Sequence, residues 1–146
     1  LMIVDPETGK KITPHVIEPA VGVNRLMLMI LCDAYVELED RVMLKLDPRI
    51  APYRVAVFPL LANKEELVEK ARGVYNKLKA NFPVAWDARG NIGKRYAAQD
   101  EIGTPWCVTV DFDTLEDESV TIRNRDTATQ QRIKIEELEK FIREQI

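Results

Sequence analysis

Two groups of residues in this 146-residue chain have types and spacings that could bind phosphates, amines or nucleobases. The first is Glu18-Pro19-Ala20-Val21-Gly22-Val23-Asn24-Arg25, a carboxylate and a guanidinium set around a glycine. A carboxylate in a small pocket suits an ammonium group. An arginine fork gives directed, charge-assisted bonds to phosphate oxygens, and a glycine lets backbone and ligand approach closely. The pattern fixes only four positions, and taken alone it favours a structural reading, with Glu18 exposed or ion-paired. The second group is Arg89, Lys94, Arg95, Tyr96, Asp100 and Glu101, followed by Arg123 and Arg125. Carboxylates accept from exocyclic amino groups of bases, basic side chains meet base acceptors and phosphates, and Tyr96 or Trp106 could stack on an unpaired base. The competing structural reading pairs Asp100 and Glu101 with Lys94 or Arg95 on a solvated helix, and puts Trp106 in the core. In that reading Arg123 and Arg125 balance the acidic run Asp111, Asp113, Glu116, Asp117 and Glu118.

Covalent and metal chemistry have little to work with. Cys32 and Cys107 lie far apart with no CxxC spacing, and His15 is the single histidine. We therefore expect two reduced, buried thiols and no metal site. A net charge of −3 argues against a general nucleic-acid binder working through bulk positive potential, although a local basic patch remains compatible with binding a folded RNA. Apolar residues make up 46% and charged residues 31%, which excludes a disordered tail and predicts a packed core. The longest apolar run, from Leu26 to Cys32, is far below the roughly 20 residues of a membrane span, and no secretory signal opens the chain. A cytoplasmic protein is expected.

The elements that must position these residues follow from periodicity. Asp5-Pro6-Glu7-Thr8-Gly9 is a turn between two strands, the first cut short at Leu1 and the second over His15-Val16-Ile17. Residues 25–39 have the pattern of a helix buried on most of its surface, and residues 41–52, with Pro48 and Pro52, read as a linker. A central strand is predicted at 54–60. A helix capped by Asn63 follows it, and Val84-Ala85-Trp86 is then a parallel strand reached by a right-handed crossover. Residues 92–102 form a second helix bracketed by Gly90, Gly93 and Gly103, and 106–112 form a buried strand. After an acidic turn at 115–119, Val120-Thr121-Ile122-Arg123 returns antiparallel, and 135–146 close the chain as a helix with Ile135, Leu138, Phe141 and Ile142 on one face. The expected fold class is α/β: three layers, with a mixed, mainly parallel sheet flanked by helices and preceded by a strand and helix. The segments are 1–40, a linker at 41–52 and a domain at 53–146.

Two stretches carry a family resemblance. Pro14-His15-Val16-Ile17-Glu18-Pro19-Ala20-Val21-Gly22-Val23-Asn24-Arg25 resembles motif 3 of class II aminoacyl-tRNA synthetases, in the version found in glycine enzymes. More specific is Gly93-Lys94-Arg95-Tyr96, continued by the unbroken run from Gln99 to Asp117, and by Val120-Thr121-Ile122-Arg123 with Arg125-Asp126-Thr127. This resembles the anticodon-binding domain of glycyl-tRNA synthetases of the archaeal and eukaryotic type. The matches run from His15 to Arg132.

The resemblance implies a division of roles. Residues 1–40 would be the end of a class II catalytic core. In it Arg25 would lie against the nucleotide and neutralise its γ-phosphate, Gly22 would allow close approach of ATP, and Glu18, Pro19 and Ala20 would line the glycine site. Ala20 departs from the family's serine and removes a hydroxyl from that pocket's edge. The whole enzyme would use ATP and Mg2+ to activate glycine, would transfer it to tRNA, and is expected to be a homodimer. Motifs 1 and 2 have no counterpart here, so this polypeptide alone is expected to be inactive and to bind no cofactor. Residues 53–146 would bind the anticodon loop of glycine tRNA. Glycine codons begin GG, so the second and third anticodon bases are cytosines, and a site for them should mix acids with bases. Arg89, Lys94, Arg95, Tyr96, Asp100 and Glu101 offer that mixture, with Arg123 and Arg125 on phosphates. The alternatives are a synthetase-like module without catalysis that binds RNA or protein, and the related domain of a threonyl, prolyl or histidyl enzyme.

Overall fold

A computed structural model describes residues 2–145. Leu1 and Ile146, where the first strand and the last helix were expected to begin and end, lie outside the described residues. The N-terminal hairpin is present, with β1 (Ile3–Val4) antiparallel to β2 (Lys11–Ile12). The Asp5 carboxylate accepts from Glu7 N and Thr8 Oγ1, while Gly9 N donates to Asp5 O. So tight a turn brings Ile12 opposite Ile3, and the second strand is therefore Lys11–Ile12 and not His15–Ile17, which stays exposed outside any strand.

Helix α1 (Val23–Ala34) ends five residues before the expected 39. Tyr35–Glu37 leave it as β3 and pair antiparallel with β4 (Val42–Leu44), so that Val36 faces Met43. Strand pairing here overrides a helical hydrophobic period. The burial expected for this helix is also corrected: Ala34 is buried, whereas Leu26, Met27, Leu28 and Met29 are exposed. Cys32 is exposed as well and only Cys107 is buried, against the expectation of two buried thiols.

The remaining elements build one layered unit. Strand β5 (Val55–Pro59) leads to α2 (Glu65–Lys79), β6 (Val84–Trp86), α3 (Ile92–Ile102), β7 (Trp106–Val110) and the short α4 (Phe112–Asp117). Strands β8 (Ser119–Asn124) and β9 (Gln130–Lys134) and helix α5 (Leu138–Glu144) complete it. Helix α2 is entered from Lys64, which makes no side-chain cap, and not from Asn63. The five strands lie in the order β6-β5-β7-β8-β9. β5 is parallel to β6 and β7, and β8 is antiparallel to both of its neighbours.

Alternation along each strand sorts side chains by layer. From β5, β7 and β8, residues Val55, Val57, Val108, Val110, Val120 and Ile122 meet Leu67, Ala71, Val74 and Leu78 of α2 and Leu138 and Ile142 of α5. On the other face Ala56, Phe58, Ala85 and Cys107 receive Ile92 and Tyr96 of α3. The first face is an apolar core in which each fully buried Val, Leu or Ile contributes about 1.5–3 kcal/mol. The α3 face also holds buried charge, which gives it a second role.

Candidate nucleic-acid interface

Helix α3 runs opposite to the parallel strands, so its first turn lies at their carboxyl ends and its last turn at their amino ends. The sequence-predicted polar residues divide accordingly into two clusters.

At the carboxyl end, Asn91 caps α3 by accepting from Lys94 N at 2.9 Å. The preceding turn is closed by Asp87, whose carboxylate accepts from Arg89 N and Nε, and by Gly90 at φ +62°, a conformation that favours glycine. That turn aims the Arg89 and Gly90 carbonyls inward. Arg95 fills the space: Nε donates to Arg89 O, one terminal nitrogen to Gly90 O, and the other to Pro59 O at 2.5 Å. With 2% of its surface exposed, Arg95 ties the loop after β6 to the end of β5. The Arg89 side chain is 92% exposed, and Lys94 is exposed one position before Arg95. An apolar cleft of about 490 Å³ lies beside them, between Leu60 to Asn63 on one wall and Asn91 and Ile92 on the other.

Tyr96 is half-buried, with its hydroxyl 2.6 Å from Thr109 Oγ1 and its ring edge-on to Phe58. Burial pushes its phenol pKa up, opposed by the Thr109 bond. The aromatic ring that does face solvent at this end is Phe112, 43% exposed, which sequence reading assigned to the end of β7. The missed signal is Asp111-x-x-Thr114. Asp111 accepts from Thr114 N while Thr114 Oγ1 accepts from Asp111 N, a reciprocal cap that starts α4 and turns Phe112 out of the strand.

At the amino end the charges face one another. The Asp100 carboxylate, 1% exposed, accepts from both terminal nitrogens of Arg123 at 2.8 and 2.9 Å and from Arg41 Nη1 at 2.9 Å. Arg123 is also stacked 4.9 Å from the Tyr96 ring centre. Burial works against its charge, but the bonds to Asp100 hold its pKa above the ordinary arginine value. Arg125 donates to Gly103 O and Leu46 O, and its own carbonyl accepts from Arg41. Gly103, at φ +84°, ends α3 so close to β4 that a Cβ there would lie 2.8 Å from Leu46 Cδ1 and 3.0 Å from Leu44 O. These contacts clamp residues 41–46, within the expected linker, onto the layered unit.

Asp100 therefore pairs with Arg123 and Arg41, and not with Lys94 or Arg95. The acidic run is met by Arg132, which binds Asp111 and Asp117, and by Lys70, which binds Glu118, and not by Arg123 or Arg125. Glu101 is exposed but belongs to the amino end: seven residues of helix separate it from Lys94 by roughly 10 Å. Trp106 packs edge-on against Phe141 in the core. Arg41 was not singled out, because nothing local in the sequence marks its partner 59 positions away.

Glu18, Pro19, Ala20, Gly22 and Arg25 lie on an exposed extended segment and the first turn of α1. The side chains of Glu18 and Arg25 make no hydrogen bond or ion pair among the described residues, so no chemical step is assigned to them. No group of three His, Cys, Asp or Glu side chains among the described residues is placed to hold a metal ion. Burial raises the Cys107 thiol pKa well above its usual value, which keeps it protonated. No helix among the described residues is long and apolar enough to cross a membrane.

Comparison with known proteins bears on the layered unit and on the segment before it. Residues 54–145 match the family described as an anticodon binding domain, well over half of the chain. The chain is 53% identical over 148 residues to a protein of Clostridium acetobutylicum named glycine–tRNA ligase, covering 98% of this chain and 31% of that protein. Proteins of the same name from Streptomyces coelicolor and Thermobifida fusca are 49% and 48% identical, covering 97% and 100% of this chain and 33% of each relative. The chain spans about a third of the length of these curated relatives.

Proposed function

The chain belongs to the anticodon-binding domain family, and from that premise we propose that it is the anticodon-reading part of a glycine–tRNA ligase. The observation that carries the reading is the carboxyl end of the sheet. There Arg89 and Lys94 face solvent next to an apolar cleft, on a frame held by the buried Arg95, and Phe112 is exposed at the same end of the sheet. Phe112 supplies a stacking face for an unpaired base, and Arg89 and Lys94 supply donors for the acceptor atoms of cytosine and for phosphate. Tyr96, Arg95, Asp100, Arg123 and Arg125 act from behind this surface, by fixing α3.

In the same reading residues 1–40 belong to the catalytic region of the whole enzyme, which would activate glycine with ATP and Mg2+ and would work as a cytoplasmic homodimer. Glu18, Pro19 and Ala20 would face glycine there, and Gly22 and Arg25 would face ATP. Both sites would be completed by surfaces that this chain does not itself supply.

Binding of the chain to a glycine tRNA transcript, at one fixed moderate salt concentration and beside a transcript with both anticodon cytosines replaced, tests the proposal. Weaker binding after replacement is expected. Equal binding to the two transcripts would overturn base reading and leave only phosphate contact, and preference for a threonine, proline or histidine tRNA would overturn the glycine assignment.

A further inference from the structure

From Lys70 to Trp86 the chain has four basic residues and no acidic one, in a protein whose net charge is −3. Two of the four are occupied on one flank of α2: Lys70 pairs with Glu118, and Lys77 donates to Ile135 O. The other two, Arg72 and Lys79, are exposed on the opposite flank and form no ion pair among the described residues. Arg72 lies flat on Trp86, its guanidinium carbon 3.7 Å from the ring centre, and 5.8 Å from the centre of Tyr75. Lys79 Nζ is 5.4 Å from the same Tyr75 ring, which meets Trp86 edge-on. The patch runs beside β6, the edge strand of the sheet, and Trp86 leads through Asp87 and Ala88 to Arg89 at the carboxyl end.

We propose that Lys79, Arg72 and Arg89 form a phosphate-binding track along the β6 edge, and that it holds the backbone of the same RNA whose bases are read at the carboxyl end. The proposal rests on that reading for the identity of the RNA. Stacking engages the face of a guanidinium and leaves its in-plane N–H donors directed outward, the geometry that meets phosphate oxygens. Seven helical residues place Arg72 and Lys79 roughly 10 Å apart, so they meet different phosphates. Between Lys70 and Trp86 the chain has no carboxylate, and the two that flank the run are Glu69, one turn before Arg72, and Asp87, which accepts from Arg89 Nε. Such a track would let a weakly acidic chain bind RNA, since Lys79, Arg72 and Arg89 follow one another along one edge.

The test is the salt dependence of binding of the full chain to the glycine tRNA transcript and to its cytosine-replaced counterpart. Arg72→Gln and Lys79→Gln should each weaken both transcripts by the same several-fold factor, and should lower the slope of log K against log salt by about one. Arg72→Lys should keep most of that slope, and Lys11→Gln in the N-terminal hairpin should leave it unchanged. Thermal unfolding of each variant confirms that the fold is kept. Parental affinity and slope in Arg72→Gln and Lys79→Gln, with discrimination between the transcripts intact, would overturn the track and leave base reading standing. An equal loss in Lys11→Gln would also overturn it, because bulk charge would then suffice. Loss in the two variants, with a parent that binds both transcripts equally, would support the track and remove the base reading.

Discussion

The two ends of the sheet contain nearly the same side chains and use them in opposite ways. At the amino end Arg41, Asp100, Arg123 and Arg125 satisfy one another and backbone carbonyls, with Asp100, Arg123 and Arg125 buried and Arg41 half-buried. At the carboxyl end one arginine, Arg95, is spent in the same manner, and its neighbours Arg89 and Lys94 are left outside. Charge inventory is therefore a poor guide to a binding surface. What distinguishes the ends is whether each donor is buried on its acceptors or, like Arg89 on Asp87, stays in solvent, which depends largely on contacts far apart in sequence. The amino end should govern stability and the carboxyl end affinity.

The sharpest way to break this comparison is at Asp100. Replacing it by Ala leaves Arg123 buried without its counter-ion, and should cost about 3–5 kcal/mol in urea unfolding. A loss under 1 kcal/mol would show that the buried network is dispensable. Gly103→Ala should follow, at about 1–3 kcal/mol, because it forces a side chain into a left-handed residue against Leu46 and Leu44. Both substitutions should loosen residues 41–46, measurable as faster amide exchange in β4. At the other end, Phe112→Ala should change stability by no more than about 0.5 kcal/mol and weaken RNA binding by about 1–3 kcal/mol. An unfolding midpoint that falls while affinity holds would reverse the assignment of Phe112.

The smallest effect concerns acid stability. Burial raises the Asp111 pKa, but hydrogen bonds from Thr114 and Arg132 outweigh it and hold this carboxyl below its usual range. A depressed folded-state pKa contributes stability that is fully present above the unfolded value near 4, and is lost as pH falls through the lower folded value. Asp111→Asn should remove that contribution, so that parent and variant converge as pH falls below the folded-state value. A gap that persists unchanged at lower pH would assign the effect of the substitution to packing.

Much of this arrangement was legible in the sequence. The β5-α2-β6-α3-β7 order, the parallel crossover and the antiparallel return of β8 follow from apolar runs and glycine punctuation. Strand β9 was not legible: Gln130–Lys134 is largely polar, and as the outer strand it covers only part of the core, through Ile133. Residues 41–52 looked like a linker because their burial depends on Gly103, Asp100 and Arg125, which lie more than 50 positions downstream. Of the residues exposed at the carboxyl end, Arg89 and Lys94 were singled out by type. Phe112 was hidden because a short capped helix looks like the end of a strand, and Arg95 was misplaced because a basic residue in a polar helix gives no local sign of burial.

The contrast between the two cysteines has a practical consequence. Cys107 is enclosed and kept as the thiol, whereas Cys32 stands exposed on α1. A maleimide probe should therefore report from a single position in the unmodified sequence, on the helix that precedes the clamp. Changes in its rotational freedom would then register how firmly the N-terminal helix is held, without a cysteine being introduced or removed.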